Sequence, residues 1–295
     1  MPLAAVRRVS CPDMDTSGST SLHSRNAARL RCYGVAALLG VLLLCGCTTL
    51  PNGRGWGEDA TYRPGWDRIK TSAIGAARDP WVWVPLLGTG VFQIDSWDRK
   101  VSDWARENTP VFGSQQNAER LSDDLKSAST VAYHASVLTA PSGTDAAQWL
   151  ENKAKGYLVG GTAGWLTSLA TQELKASTDR ERPNGLGRES FPSGHTSAAA
   201  VHTQLASRNL RAMDLRDGTR RALDAGLDAL TIGTSWARIE AGWHYPSDTL
   251  FSIALGNFLA SFINDAFMGL DADPRASLAL ELTAERAAVR WHIRF

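Results

Sequence analysis

Three short blocks between Lys175 and Asp248 constrain this chain most, because a fold is useful to them only if it brings them together. They are Lys175 through Arg182-Pro183, then Pro192-Ser193-Gly194-His195, then Arg238 through His244 to Asp248. Together they supply fixed cations, two imidazoles, a carboxylate and a Ser-Gly turn. That is the inventory needed to hold a phosphate and attack its phosphorus. Each block alone is weak: a Lys and an Arg seven apart are usually surface charge, and Ser-Gly-His is usually a turn. Their order and spacing carry the inference.

The chemistry of each residue type agrees. Guanidinium forks match phosphate oxygens in pairs, so Arg182 and Arg238 suit a dianion, with Lys175 as a third point charge. Ser193 stands where a helix N-cap would stand, so backbone N–H groups after it would point at the same anion. Gly194 lets backbone approach closely. Tyr245-Pro246 favours a helix beginning at Pro246, which puts Asp248 in its first turn and one turn beyond His244. A carboxylate there is expected to accept from one ring nitrogen of His244, leaving the other aimed at phosphorus. His134, His202 and His292 are read as structural, and Asp179 and Glu181 as solvated loop charges.

Lys175-x6-Arg182-Pro183, Pro192-Ser193-Gly194-His195 and Arg238-x5-His244-x3-Asp248 resemble the three signature motifs of the type 2 phosphatidic acid phosphatase and vanadium haloperoxidase superfamily. One departure is visible, since Ala237 stands where that family usually has Ser. The resemblance implies His244 as the nucleophile that forms a phosphohistidine, Asp248 as its orienter and His195 as the acid for the leaving oxygen. Lys175, Arg182, Ser193, Gly194 and Arg238 would bind phosphate. No metal and no other cofactor is implied, because fixed cations supply the charge stabilisation. Two other readings use the same residues: a vanadium-dependent haloperoxidase with His244 on the metal, and a lipid-phosphate binding protein without turnover.

The amino end sets the expected compartment. Tyr33 to Leu44 is an uncharged apolar run preceded by Arg25, Arg29 and Arg31, too short to span a bilayer. Leu44-Cys45-Gly46-Cys47 resembles the bacterial lipobox, which implies a signal peptide over 1–46 and lipidation of Cys47. Thr48 rather than Asp follows, which favours the outer membrane on its periplasmic side. All four cysteines lie at or before this point, so no disulfide framework is available to what remains. The formal net charge is +1, and residues 1–46 hold five Arg against two Asp, which leaves about −2 and gives no sign of a nucleic-acid partner.

Beyond Cys47, Gly, Pro and Asn predict a lipidated, flexible tether over 47–65. Helical periodicity then predicts an all-α bundle of the acid phosphatase/haloperoxidase type over 66–270. Asp95 is expected to cap a helix bearing Trp97, Val101 and Trp104 on one face. Further helices are expected at about Ser114 to Leu138, Asp145 to Ala176, His195 to Leu210, Gly218 to Ile239 and Pro246 to Met268. Apolar stretches at Trp81 to Phe92, Tyr157 to Ala170 and Leu250 to Ile263 are short or interrupted, so buried core helices are favoured over membrane spans. Six of the eleven tryptophans fall between Trp56 and Trp104, and core packing is favoured for them over an interfacial belt. Alternation from Leu278 to Phe295 predicts a β-hairpin over 271–295.

Overall fold

The computed structural model describes residues 48–269 and the backbone of two later segments. The expected signal peptide and the lipidation site Cys47 lie outside the described residues. From 48 to 269 the described structure is helical, without a strand. The helices are α1 (Trp66–Arg78), α2 (Pro80–Val91), α3 (Trp97–Asn108) and α4 (Gln115–Thr139). They continue with α5 (Ala146–Thr178), α6 (Gly194–Ala212), α7 (Asp217–Glu240) and α8 (Pro246–Phe267). The backbones of Ala276–Thr283 and Arg286–Ile293 run antiparallel, but the hairpin expected over 271–295 is not supported by that alone, and its side chains lie outside the described residues.

Capping chemistry sets the starts of the long helices. The Ser114 hydroxyl accepts from the Asn117 amide at 3.1 Å. Asp145 accepts from Ala147 and Gln148 at 3.0 Å each. Both satisfy amide groups that the first helical turn leaves without partners.

Asp95 does not act as such a cap. It sits in a 3-10 turn, Ile94–Ser96, with φ of 48°, and pairs with Lys100 at 2.8 Å. The helix starts two residues later, because Ser96 is also left-handed and the chain straightens only at Trp97.

Helix α6 is the axis of the bundle. Twelve of its residues between Thr196 and Asn209 are buried, and it packs against α4, α5, α7 and α8. Small side chains make this possible. At Gly256 of α8 an added Cβ would stand 2.7 Å from the Ala200 Cβ and from the Ser197 carbonyl oxygen, so the two helices touch backbone to backbone there. That contact fixes the amino ends of α6 and α8 side by side. The apolar core gathers Tyr133, Val137, Val159, Ala163, Val201, Leu205 and Ile263 around α6.

The expected tether is partly a packed segment. Trp56 is 1% exposed, its indole N–H donates to Asn209 at 2.9 Å, and its ring occupies the space a side chain at Gly156 would need. Backbone bonds from Trp56 to Pro141 (2.7 Å), Gly143 to Thr48 (2.9 Å) and Thr61 to Phe267 (2.8 Å) hold residues 48–61 on the bundle. A Gly- and Pro-rich composition marked irregular backbone correctly, but a buried indole and these bonds outweigh its flexibility.

The apolar stretches divide. On α8, Ile253, Ala254, Ala260 and Ile263 are buried, although this helix is long and apolar enough to cross a membrane and 56% of its apolar window is buried. On α2 only Val82 and Pro85 are buried, and Val84, Leu86, Leu87 and Val91 face out. The core-packing expectation for the tryptophans holds for Trp56 but fails for Trp66, at 74% exposed, and for Trp97 and Trp104, both at 50%.

Candidate active site

The site forms where four helix ends meet. Lys175 lies in the last turn of α5 and Arg238 in the last turn of α7, while Ser193 caps α6 and Asp248 occupies the first turn of α8. Two helix amino ends and three cations face one space, so the local field favours an anion. Gly242, at φ +74°, reverses the chain after α7. Its carbonyl accepts from Asn184 at 3.0 Å, which ties the first block to the third.

His244 is the best-defined member. It is 2% exposed, and its Nδ1 lies 2.5 Å from the Ser190 carbonyl oxygen. A carbonyl only accepts, so Nδ1 carries the proton and Nε2 keeps a free lone pair. Burial, then the charges of Arg238 and Lys175, push its pKa well below 6.5. The ring is therefore neutral in a cationic setting.

Asp248 does not bond His244 directly. Its Oδ2 is 4.0 Å from Nδ1, because the Ser190 carbonyl takes that place. The carboxylate instead accepts from Ser190 Oγ at 2.6 Å, the Tyr245 amide at 2.8 Å and Arg180 Nη1 at 2.5 Å. Burial pushes its pKa up to about 6 against the opposing pull of Arg180.

Arg180 also pairs with Asp98 at 2.6 Å, and its guanidinium lies 4.4 Å from the Tyr245 ring centre. The Asp98–Arg180–Asp248 chain was not expected from sequence. Asp98 sits on α3, far from the three blocks in sequence, so no spacing could have pointed to it.

The remaining cations are set by aromatic stacking. Arg182 and Arg238 lie 4.7 Å and 5.1 Å from the ring centre of Trp243. Arg238 donates to Ser122 at 3.2 Å, and burial lowers its pKa to about 10. The Nε atoms of Arg182 and Arg238 are buried without a hydrogen-bond partner. Lys175 donates to the Glu189 carbonyl at 2.5 Å, and burial followed by Arg182 lowers its pKa.

In the second block, Ser193 is committed to capping. Its hydroxyl accepts from the Thr196 hydroxyl at 3.0 Å and the Thr196 amide at 3.4 Å. Its backbone N–H donates to Ser252 Oγ at 2.7 Å, so the hydroxyl proton is what Ser193 has left to offer an anion. A side chain at Gly194 would meet only Thr171, at 3.8 Å, so protein packing does not demand glycine there and the space beside it is open. His195 Nε2 lies 2.6 Å from Asp123 Oδ1 on α4, a partner outside all three blocks. Burial and Arg238 lower the His195 pKa, and Asp123 opposes them.

The family model described as the PAP2 superfamily matches residues 153–268, a stretch holding all three blocks. That stretch, about two fifths of the chain, is therefore similar to the PAP2 superfamily. A solved structure of a transmembrane PAP2 type phosphatidylglycerolphosphate phosphatase from Bacillus subtilis is similar at 17% identity and a TM-score of 0.40. The likeness covers 62% of this chain and 91% of that one. No curated protein matches. The matched stretch begins within α5, so Asp98, Ser122 and Asp123 reach the site from helices that precede it.

Proposed function

We propose that the chain is a phosphatase that hydrolyses a phosphate monoester or pyrophosphate through a phosphohistidine at His244, without a metal. The observation that carries this reading is the Nδ1–Ser190 bond, which supports a neutral His244 with a nucleophilic Nε2 beside Lys175, Arg182 and Arg238. Binding alone would need the cations but no such ring. The same cations would also repel a divalent metal.

The steps follow from these groups. Nε2 attacks phosphorus, the bond to the leaving oxygen breaks, and His195 gives that oxygen a proton. Charge on the equatorial oxygens is met by the guanidiniums, Lys175 and the α6 amino end. Water then attacks the phosphohistidine, with His195 taking its proton, and phosphate leaves. Asp248 acts through Ser190 and Arg180 as a positioning residue. Single-turnover reaction with ³²P-labelled ester should trap acid-labile, base-stable label on wild type and none on His244→Ala; label that persists in the variant would overturn the reading.

The substrate is proposed to be lipid-linked, with the protein anchored through Cys47 on the periplasmic side of the outer membrane. Support comes from the lipobox-like sequence and the PAP2 match. Metabolic labelling with a fatty acid should mark wild type and not Cys47→Ala. Label on both would end the anchor proposal while leaving the catalytic one untouched.

A further inference from the structure

Helix α3 lies outside the matched stretch, and apolar burial does little to hold it in place. Asp98, Ser102 and Ala105 are its buried residues, and two of those three are polar. At its ends Ser96 and Thr109 are left-handed, with φ of 60° and 39°. Non-glycine residues keep such backbone only where the surroundings hold it. The bonds that hold α3 lead to the anion site.

One tie is Asp98. Its Oδ1 accepts from the Ser247 amide at 2.8 Å, and its Oδ2 accepts from Arg180 Nη2 at 2.6 Å and from the Ser247 hydroxyl. That amide lies in the first turn of α8 and has no acceptor within its own helix, so Asp98 caps α8 from α3. Arg180 Nη1 donates to the same hydroxyl at 2.9 Å and to Asp248 at 2.5 Å. One guanidinium thus bridges two buried carboxylates. The other tie is Arg106, whose Nη1 donates at 2.9 Å to the carbonyl of Pro183, the residue after Arg182. A Cβ at Gly242 would stand 2.9 Å from Arg106 Nε and 3.3 Å from the Asn184 Cβ, so this arginine fills the joint where the first and third blocks meet. Asp98 and Arg106 are about 12 Å apart at the helical rise. An open cavity of about 860 Å³ lies between α3 and residues 180–185, so from this side the loop is held by the two ties rather than by packing.

We propose that α3 clamps the loop carrying Arg180 and Arg182, with Asp98 and Arg106 as positioning residues for phosphoryl transfer. The inference rests on the phosphatase reading. Asp98 shares Arg180 with Asp248 and holds the start of α8, so it keeps in place the carboxylate on which Ser190 and, through it, His244 depend. Arg106 fixes Pro183 and with it the backbone from which the Arg182 fork reaches phosphate. Asp248 is faced by Arg180 from the loop, Asp98 from α3, Lys175 from α5, and His244 and Tyr245 from the turn before α8. Burial raises its pKa, Arg180 lowers it, and the charge of Asp98 raises it further. Removing that charge leaves Arg180 to Asp248 alone, so Asp248 should then take its proton at a lower pH.

The test uses the full chain and p-nitrophenyl phosphate hydrolysis. Asp98→Asn should move the acid limb of kcat/KM to lower pH by ~0.5 unit or more. A helix that served stability alone would lower the rate at every pH and leave the limb in place. Arg106→Ala should weaken competitive inhibition by inorganic phosphate about tenfold, and Arg106→Lys, which keeps one donor for Pro183, should recover most of that loss. Arg106 is partly exposed, so its variants keep the clamp open to test if Asp98→Asn fails to fold. A limb that stays in place in folded Asp98→Asn, or phosphate inhibition of Arg106→Ala equal to that of wild type, would overturn the clamp while leaving the phosphatase reading standing. Absence of any p-nitrophenyl phosphate hydrolysis by wild type would instead overturn that reading, and the clamp with it.

Discussion

Asp248 and His244 are one helical turn apart, yet 4.0 Å separates their nearest oxygen and nitrogen, and Ser190 occupies the space between them. The carboxylate holds the Ser190 hydroxyl while the Ser190 carbonyl holds the imidazole. A backbone carbonyl cannot take a proton from the ring. It therefore fixes the Nδ1–H tautomer, and the charge of Asp248 is left to hold Arg180.

This arrangement predicts which group governs the acid side of the rate profile. The His244 pKa lies well below 6.5, whereas that of Asp248 is about 6. As pH falls through about 6, Asp248 takes a proton, and Arg180 and Ser190 lose its negative charge while Arg180 keeps Asp98 and His244 stays neutral. The acid limb of kcat/KM should therefore fall near pH 6 in wild type and flatten in Asp248→Asn, over a plateau lowered roughly ten- to hundredfold, the usual cost of losing an orienting partner one shell out. An unchanged limb in the variant would assign it elsewhere.

The positions of the long helices were legible because their periodicity and caps are local: α4, α5 and α8 begin within a residue or two of where Ser114, Asp145 and Pro246 put them. The residues of the three blocks were legible for a different reason, since their chemistry is unusual at that spacing. What sequence could not give was tertiary partnership. Asp98, Ser122 and Asp123 are ordinary helix-surface residues until α3 and α4 are laid against the domain. Arg180 carries no such signal in sequence, since a cation in a charged loop looks solvated, and its two buried carboxylate partners show otherwise. The burial of Trp56 follows from its residue type, but its partners Asn209 and Gly156 do not, because the Gly and Pro around it speak for a tether.

Arg182 and Arg238 both stack on Trp243, so replacing either by Lys keeps the charge but loses the planar fork and the stacked geometry. Each change should lower kcat/KM for p-nitrophenyl phosphate by about tenfold or more. Vanadate, which mimics five-coordinate phosphorus, should inhibit wild type competitively and inhibit both variants less. A chelator should leave the rate unchanged, and activity lost to it and restored by a divalent ion would rule out the metal-free mechanism.

Trp56 fills the space over Gly156 and bonds Asn209, which itself bonds Ser136 at 2.9 Å. Trp56→Ala would leave a cavity and an unpaired buried amide, at a cost of about 3–5 kcal/mol. Urea denaturation should show this as a lower midpoint with an unchanged slope. A midpoint within error of wild type would mean that residues 48–61 behave as the tether their composition suggests.

The last prediction separates the two histidines by what they ask of the leaving group. If His244 is the nucleophile, His244→Ala should abolish turnover of every ester, because no phosphoenzyme can form whatever alcohol is expelled. His195 should matter unequally. A general acid helps most when the departing oxygen is basic, so His195→Ala should cost about 10² to 10⁴ on an alkyl phosphate and much less on p-nitrophenyl phosphate. Asp123 sharpens the comparison, since its 2.6 Å contact with His195 Nε2 holds the ring and favours its protonated form. Asp123→Asn should therefore reproduce the alkyl-selective loss in weaker form, and the two rates for each variant would be measured side by side. Equal losses on both esters for His195→Ala, or surviving alkyl phosphatase activity in His244→Ala, would show that the roles are assigned to the wrong rings.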